Sequence, residues 1–139
     1  SRRAWLGDTP ARLIDVSDRA MSASIRAGVA ACRADALTIH LADMPEIEAS
    51  ELQTVSDAWS ATDAAILRAT TTDGIPGQPV TFARALFPEL AALTGDGGGR
   101  SVLARHPAAS VALPGRSALT DLDTPEDWTA WRAARRDPG

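Results

Sequence analysis

Residues Ala34–Pro45 read A-D-A-L-T-I-H-L-A-D-M-P. An apolar, β-prone run of Leu37, Thr38, Ile39 and Leu41 ends in Asp43, and Pro45 follows two residues later. The pattern predicts a buried strand over Asp35–Ala42 with a carboxylate at its carboxyl end. In open α/β sheets, ligands bind at that end of the strands. A carboxylate there suits a divalent cation, because Mg²⁺ takes one or two carboxylates together with substrate phosphates. It suits equally the capping of a following helix or the start of a turn. The stretch by itself leaves both readings open.

The remaining chain narrows the choice. Its 139 residues predict one domain. A net charge of −4 and a sequence pI near 5.0 argue against a general nucleic-acid binder, which needs a basic face. All 14 basic residues are arginine, so neither a Schiff-base lysine nor a P-loop lysine is available. Aromatic content of 4% offers no base-stacking platform. Cys32 is the only cysteine, which excludes an internal disulfide and a cysteine-based zinc site. No apolar run spans a membrane and no leader pattern opens the chain, so a cytoplasmic protein is expected.

Outward from Ala34–Pro45, strands and helices alternate. Toward the amino end, Arg2–Leu6 reads as the last turn of a helix, with Gly7 at C′ and Pro10 beyond. Ala11–Val16 reads as a short strand, and Ser22–Arg33 as a helix capped by Ser22 or Ser24. Two hydroxyls and Arg26 near a helix start could receive an anion, or could form an ordinary cap.

Toward the carboxyl end, Glu46–Ala61 reads as a helix, with a Ser50/Gln53 capping-box pattern. Ala64–Ala69, extended by Thr70–Thr72, reads as a strand. Asp73-Gly74 is a turn, Ile75–Pro79 a loop, and Val80–Phe82 a short returning strand, so Ile66–Phe82 forms a hairpin-like excursion. Ala83–Leu93 is helical and split by Pro88. Thr94–Ser101 is Gly-rich but fails as a P-loop, and a brief helix over Ser101–His106 follows. Ala109–Leu113 is a strand. Thr124 or Asp123 caps the last helix, with Pro125 at N1 and Asp127 completing a capping box. The alternation predicts an α/β fold with a mostly parallel sheet.

Trp59, Trp128 and Trp131 sit on helical faces and read as core or interface fillers. His40 reads as a satisfied core residue, and His106 as solvated. Two carboxylate-bearing turns stand out: Asp43, and Asp121/Asp123 near the chain's end. Adjacent strand ends in such a sheet could bring them around one metal ion.

The ordered motifs M-S-A-S-I-R-A-G, L-A-D-M-P, G-Q-P-V-T-F, F-P-E-L-A-A-L-T-G-D-G-G-G-R and D-L-D-T-P-E-D run across Met21–Asp127, a range that is most of the chain. In that order they resemble the MobA-like NTP transferases, in particular the molybdenum cofactor cytidylyltransferase (MocA-like) branch. The resemblance implies a Rossmann-like nucleotidyltransferase fold, a sheet flanked by helices. It implies joining of an NTP, CTP in this branch, to the phosphate of a molybdopterin-type substrate, with pyrophosphate release and Mg²⁺ as cofactor. Asp43 and Asp123 would be the catalytic metal-binding carboxylates, with Asp121 a further metal candidate. Ser22, Ser24 and Arg26 would line the nucleotide–pterin cleft with Gly77, Gln78 and Pro79, and Arg100 would meet phosphate. A molybdoenzyme would be a partner; nucleic acid and membrane would not.

Two departures from the family pattern matter. Gln78 stands where the family commonly has histidine, so a titrating role there is in doubt. The family's opening strand and L-A-A-G-x-S-x-R-x-G loop, which bind the NTP, are not in this sequence. Residues 1–139 are therefore expected to be the carboxy-terminal part of a single nucleotidyltransferase-like domain. Two alternatives remain: a non-catalytic cofactor-binding accessory protein, and a transferase acting on another phosphorylated acceptor such as a sugar or lactate phosphate.

Overall fold

Within Ala34–Pro45 only Ala36–Ile39 forms a strand, shorter than the expected 35–42 and partly exposed instead of buried, because it lies at one edge of a four-stranded sheet. We describe residues 10–119 and 121–136 of a computed structural model. The readings placed on Arg2–Gly7 lie outside the described residues. In chain order the elements are α1 (Met21–Ala31), β1 (Ala36–Ile39), α2 (Ala49–Ser60), β2 (Ile66–Thr70) and β3 (Pro76–Ala83). A 3-10 turn (Arg84–Leu86), α3 (Phe87–Ala91), α4 (Arg100–Arg105), β4 (Ala109–Ala112) and α5 (Pro125–Arg136) follow.

The sheet order is β1-β3-β2-β4. β3 pairs antiparallel with both β1 and β2, and β2 pairs parallel with β4. β1, β2 and β4 therefore run one way and β3 alone is reversed. The sheet is mixed because the excursion after β2 folds back between β1 and β2. Three strands thus direct their carboxyl ends to one side of the sheet, with the start of β3 beside them.

Register fixes which residues share a face. Ile66 pairs with Phe82, Arg68 with Val80, and Ile39 with Val80. With a side-chain period of two, these residues share one face and Leu67 and Ala69 share the other. The first face buries Ile66, Val80 and Phe82 against Ile25 of α1, Leu90 of α3 and Val102 of α4. The second buries Leu67 and Ala69 against Val55 of α2, Met44, Ile47, Leu113 and Ala118. A helix–sheet–helix sandwich results.

Several expectations are corrected. Ala11–Val16 is not a strand: it finds no strand partner among the described residues, and Ile14 and Val16 stay exposed. α1 is not capped by Ser22 or Ser24. Its N-cap is Ala20, and Ser22 is buried in the first turn. α2 is N-capped by Glu48, not Ser50: Glu51 accepts a bond from the Glu48 N–H at 2.9 Å while the Ser50 hydroxyl donates to the same carboxylate. These bonds hold the Glu51 carboxyl below its ordinary pKa, that from Glu48 foremost.

The segment read as a loop over Gly77-Gln78-Pro79 lies inside β3. Arg68 faces Val80, but Thr70 faces Pro76, so three residues of β3 oppose one of β2. That bulge explains how a proline-rich stretch enters a central strand: Pro76 opens it, and Pro79, joined to Gln78 by a cis peptide, occupies the bulge.

The turns at Pro88 and Thr124 match expectation. α3 opens at Phe87 after the 3-10 turn, with Pro88 in its first turn. Thr124 Oγ1 accepts from the Asp127 N–H, and the Asp127 carboxylate accepts from the Thr124 N–H, both at 3.1 Å. Trp59 packs against the second core. Trp128 and Trp131 make an edge-to-face pair on α5, which buries no residue.

Candidate metal centre and adjoining cavity

Asp43 sits in the turn that follows β1. One of its carboxylate oxygens, Oδ1, is fully buried and has no hydrogen-bond partner. Such a group is costly to leave unsatisfied. The Asp121-Leu122-Asp123 segment is tied to this turn through its backbone. The Leu122 N–H donates to the Asp43 carbonyl at 2.8 Å, and Trp128 Nε1 donates to the Leu122 carbonyl at 3.2 Å. Leu122 is buried, and the aspartates on either side of it are exposed. The outcome is three carboxylates, Asp43, Asp121 and Asp123, each offering an oxygen within 4.8 Å of the others.

The Asp123 pKa is raised, first by a hydrogen bond shared with Asp43, then by desolvation and by the charges of Asp43 and Asp127. An all-oxygen donor set with an orphaned buried acceptor fits a hard divalent cation such as Mg²⁺ or Mn²⁺.

The raised pKa has a signed consequence for stability. Between its ordinary value and its raised one, Asp123 holds more protons in the folded than in the unfolded chain. Stability of chelator-treated protein therefore falls as pH rises through that window. Melting curves across the acid range, wild type against Asp123→Asn, should show this fall in the wild type and lose it in the variant. Added divalent cation should reverse the fall, since metal and proton compete for the same oxygens.

His40 lies just past the end of β1 and is exposed, not a core residue as expected, because the strand stops at Ile39. Its pKa is lowered by partial burial of the ring, against the opposing charge of Asp43. His106 is likewise not free in solvent. Its Nε2 lies 2.9 Å from both Glu89 carboxylate oxygens, fastening α4 to α3.

Beside β1, on the sheet face that carries α1 and α4, is a cavity of about 480 Å³. Its apolar wall includes Ile39, Val80 and Phe82, and its polar groups include Arg68, Gln78 and Arg100. The Gly-rich segment forms another wall. Gly98 has φ +58°, and a Cβ on it would lie 2.9 Å from Met21 Sδ. The β3 bulge takes Gln78 out of the ladder toward this space, a common use of bulges beside sites. Gln78 Oε1 is buried and has no partner.

The sequence-predicted residues thus separate into three groups. Asp43, Asp121 and Asp123 come together. Gln78 and Arg100 line the cavity, and Gly77 and Pro79 are buried in the bulge that frames it. Ser22, Ser24 and Arg26 are not among the lining residues; Met21 and Ile25 of the same helix are. Arg26 Nη1 donates to Ser22 Oγ and to the Leu93 carbonyl, so this pair braces α1 against the end of α3. Ser24 is exposed. Sequence reasoning missed Arg68, although a lone charge inside the apolar run I-L-R-A-T was a visible signal.

Residues 1–111 match the MobA-like NTP transferase domain family. Among solved structures, Rv0371c from Mycobacterium tuberculosis H37Rv is 31% identical with a TM-score of 0.78, over 93% of this chain and 68% of that one. A complex of Rv0371c with manganese matches at 31% identity and a TM-score of 0.77, over 93% and 69% of the two chains. The Rv0371c homolog from Mycobacterium sp. strain JC1 is 25% identical with a TM-score of 0.69, over 90% and 63%. Comparison with curated proteins gives no match.

Proposed function

We propose a nucleotidyl transfer reaction from a plain premise: the chain belongs to the MobA-like NTP transferase domain family. The reaction joins an NTP to a phosphorylated acceptor and releases pyrophosphate. The motif set L-A-D-M-P, G-Q-P-V-T-F and D-L-D-T-P-E-D supports the cytidylyltransferase branch, with CTP as donor and a molybdopterin-type phosphate as acceptor. The same reading makes the product cofactor one destined for a molybdoenzyme, in the cytoplasm. The observation that carries the reading is the carboxylate cluster, held together by the Leu122–Asp43 backbone bond with Asp43 Oδ1 unsatisfied.

Asp43 and Asp123 would hold Mg²⁺ or Mn²⁺, with Asp121 as a third donor. The manganese complex of the related Rv0371c structure supports this choice. A bound divalent ion neutralises phosphate charge, which is most of what attack on an α-phosphorus requires. Asp43 and Asp123 fix where that charge sits. The backbone tie through Leu122 keeps the two turns in register. Gln78 and Arg100 orient the acceptor in the cavity alongside. Gln78 does not titrate, so its part is a hydrogen bond and not a proton transfer.

The test is pyrophosphate release by the full protein, with CTP and GTP each offered together with molybdopterin, in Mg²⁺ or Mn²⁺. Release with CTP in excess over GTP, abolished by chelator, is expected. Absence of release with either nucleotide would leave an acceptor-binding protein without turnover. Release only with a sugar phosphate or phospholactate as acceptor would move the substrate to another phosphorylated class.

A further inference from the structure

The cavity holds a charge that the reaction just described does not yet use. β2 reads I-L-R-A-T, and Ile66, Leu67, Ala69 and Thr70 are buried while Arg68 is half-buried. The register puts Arg68 on the face of Ile66, Val80 and Phe82, where its side chain reaches past the packed core into the cavity. Among the described residues its side chain makes one hydrogen bond, from Nε to the Gly77 carbonyl at 3.3 Å. A guanidinium has five N–H donors, so the others remain to be used. Among the described residues no carboxylate lies within ion-pair distance of it, although Asp96 borders the same cavity. A cation on a central strand, partly removed from water and unpaired, is a cost to the fold that an anionic ligand would relieve.

The neighbouring groups define the rest of the ligand. Ile39, Val80 and Phe82 offer an apolar wall. Gln78 Oε1 is a buried acceptor waiting for a donor. An apolar wall, one orphan acceptor and one unneutralised guanidinium together match a planar heterocycle with an N–H edge and an anionic substituent. Arginine suits such a substituent because it can grip two oxygens of a carboxylate or phosphate at once.

We propose that Arg68 is a substrate-binding residue that makes the cavity select anionic over neutral acceptors. This rests on the acceptor-cavity reading given above, but not on turnover. The alternative is structural: Arg68 merely braces the bulge through the Gly77 carbonyl.

Fluorescence titration of the full protein in chelator, without NTP, separates the two. The probes are pterin-6-carboxylate and the uncharged 6-hydroxymethylpterin. Wild type should bind the carboxylate roughly tenfold or more tighter than the alcohol, as a charge-assisted bond predicts. Inorganic phosphate should displace the carboxylate. Arg68→Leu should bring the ratio of affinities close to one with little change for the alcohol, and Arg68→Lys should keep part of the preference. A lower melting temperature with the ratio unchanged in both variants would overturn the proposal in favour of bracing. Failure of the wild type to bind the carboxylate, or equal binding of the two probes, would also overturn it. Failure of pyrophosphate release would sink the transferase reading alone, because these titrations contain neither metal nor nucleotide.

Discussion

Asp43→Asn should lower metal-dependent turnover by at least about a hundredfold while leaving the fold intact. Metal neutralisation of transferring phosphate contributes several kcal/mol to the transition state, and each ~1.4 kcal/mol is tenfold in rate. Asparagine keeps the size of the side chain and the Leu122–Asp43 backbone bond, because that bond uses the Asp43 carbonyl. It removes one of three clustered negative charges, so metal-free stability should hold or rise. Asp123→Asn should cost a similar factor, and the double variant little more than either single one, since both act through the same ion. Asp121→Asn should cost least. Steady-state rates at saturating Mn²⁺, with melting temperatures beside them, check the set. Full activity in both Asp43→Asn and Asp123→Asn would remove the metal assignment.

Gly77→Ala should be the most damaging single change to the framework around the site. A Cβ at residue 77 would lie 2.1 Å from the Ala118 carbonyl oxygen and 2.7 Å from its carbon. Both are backbone atoms, so no rotamer change relieves the clash. The bulge and the 118 segment would have to part, breaking the 2.8 Å bond from the Gln78 N–H to the Ala118 carbonyl. Overpacking of this kind costs about 3 kcal/mol, or a fall near 10 °C in Tm for a domain of this size. Residue 118 leads directly into Asp121 and Asp123, so metal affinity should fall as well. Gly28→Ala is the matched control. It lies in α1 with nothing within 4 Å of the added Cβ, and should stabilise slightly. Thermal melts and Mn²⁺ titrations of the two variants decide it: equal behaviour would show that the close approach at Gly77 does not matter.

What could be read from the sequence followed from signals that are local and strong. Thr124-Pro125-Glu126-Asp127 carries a complete cap that forms as expected, whereas the β-prone run from Leu37 forms a strand that stops at Ile39 and stays only partly buried at the sheet edge. Pro88 split its helix because proline has one comfortable place at a helix start. The misreadings came where tertiary partners decide. Gly77-Gln78-Pro79 looks like a loop by composition, and is carried inside a strand because Pro76 and Val80 on either side of it pair with β2. Ala11–Val16 has the alternation of a strand but lacks a neighbour to pair with among the described residues.

The candidate site divides in the same way. Asp43 and Asp123 could be nominated singly from turns and motifs, but their approach depends on the Leu122–Asp43 backbone bond, which no pattern encodes. Ser22 and Arg26 had the composition of an anion site, yet Arg26 donates to Ser22 Oγ and to the Leu93 carbonyl. Arg68 had no motif around it, and its meaning appears only once register turns it toward the cavity.

Asp43, Asp121 and Asp123 are proposed to form one cation site. Anomalous diffraction from crystals of the protein grown with Mn²⁺ tests it most directly. A single strong peak bonded to carboxylate oxygens of Asp43 and Asp123 is expected, absent from crystals of Asp43→Asn. A peak elsewhere with these three side chains bare, or an undiminished peak in the variant, would contradict it.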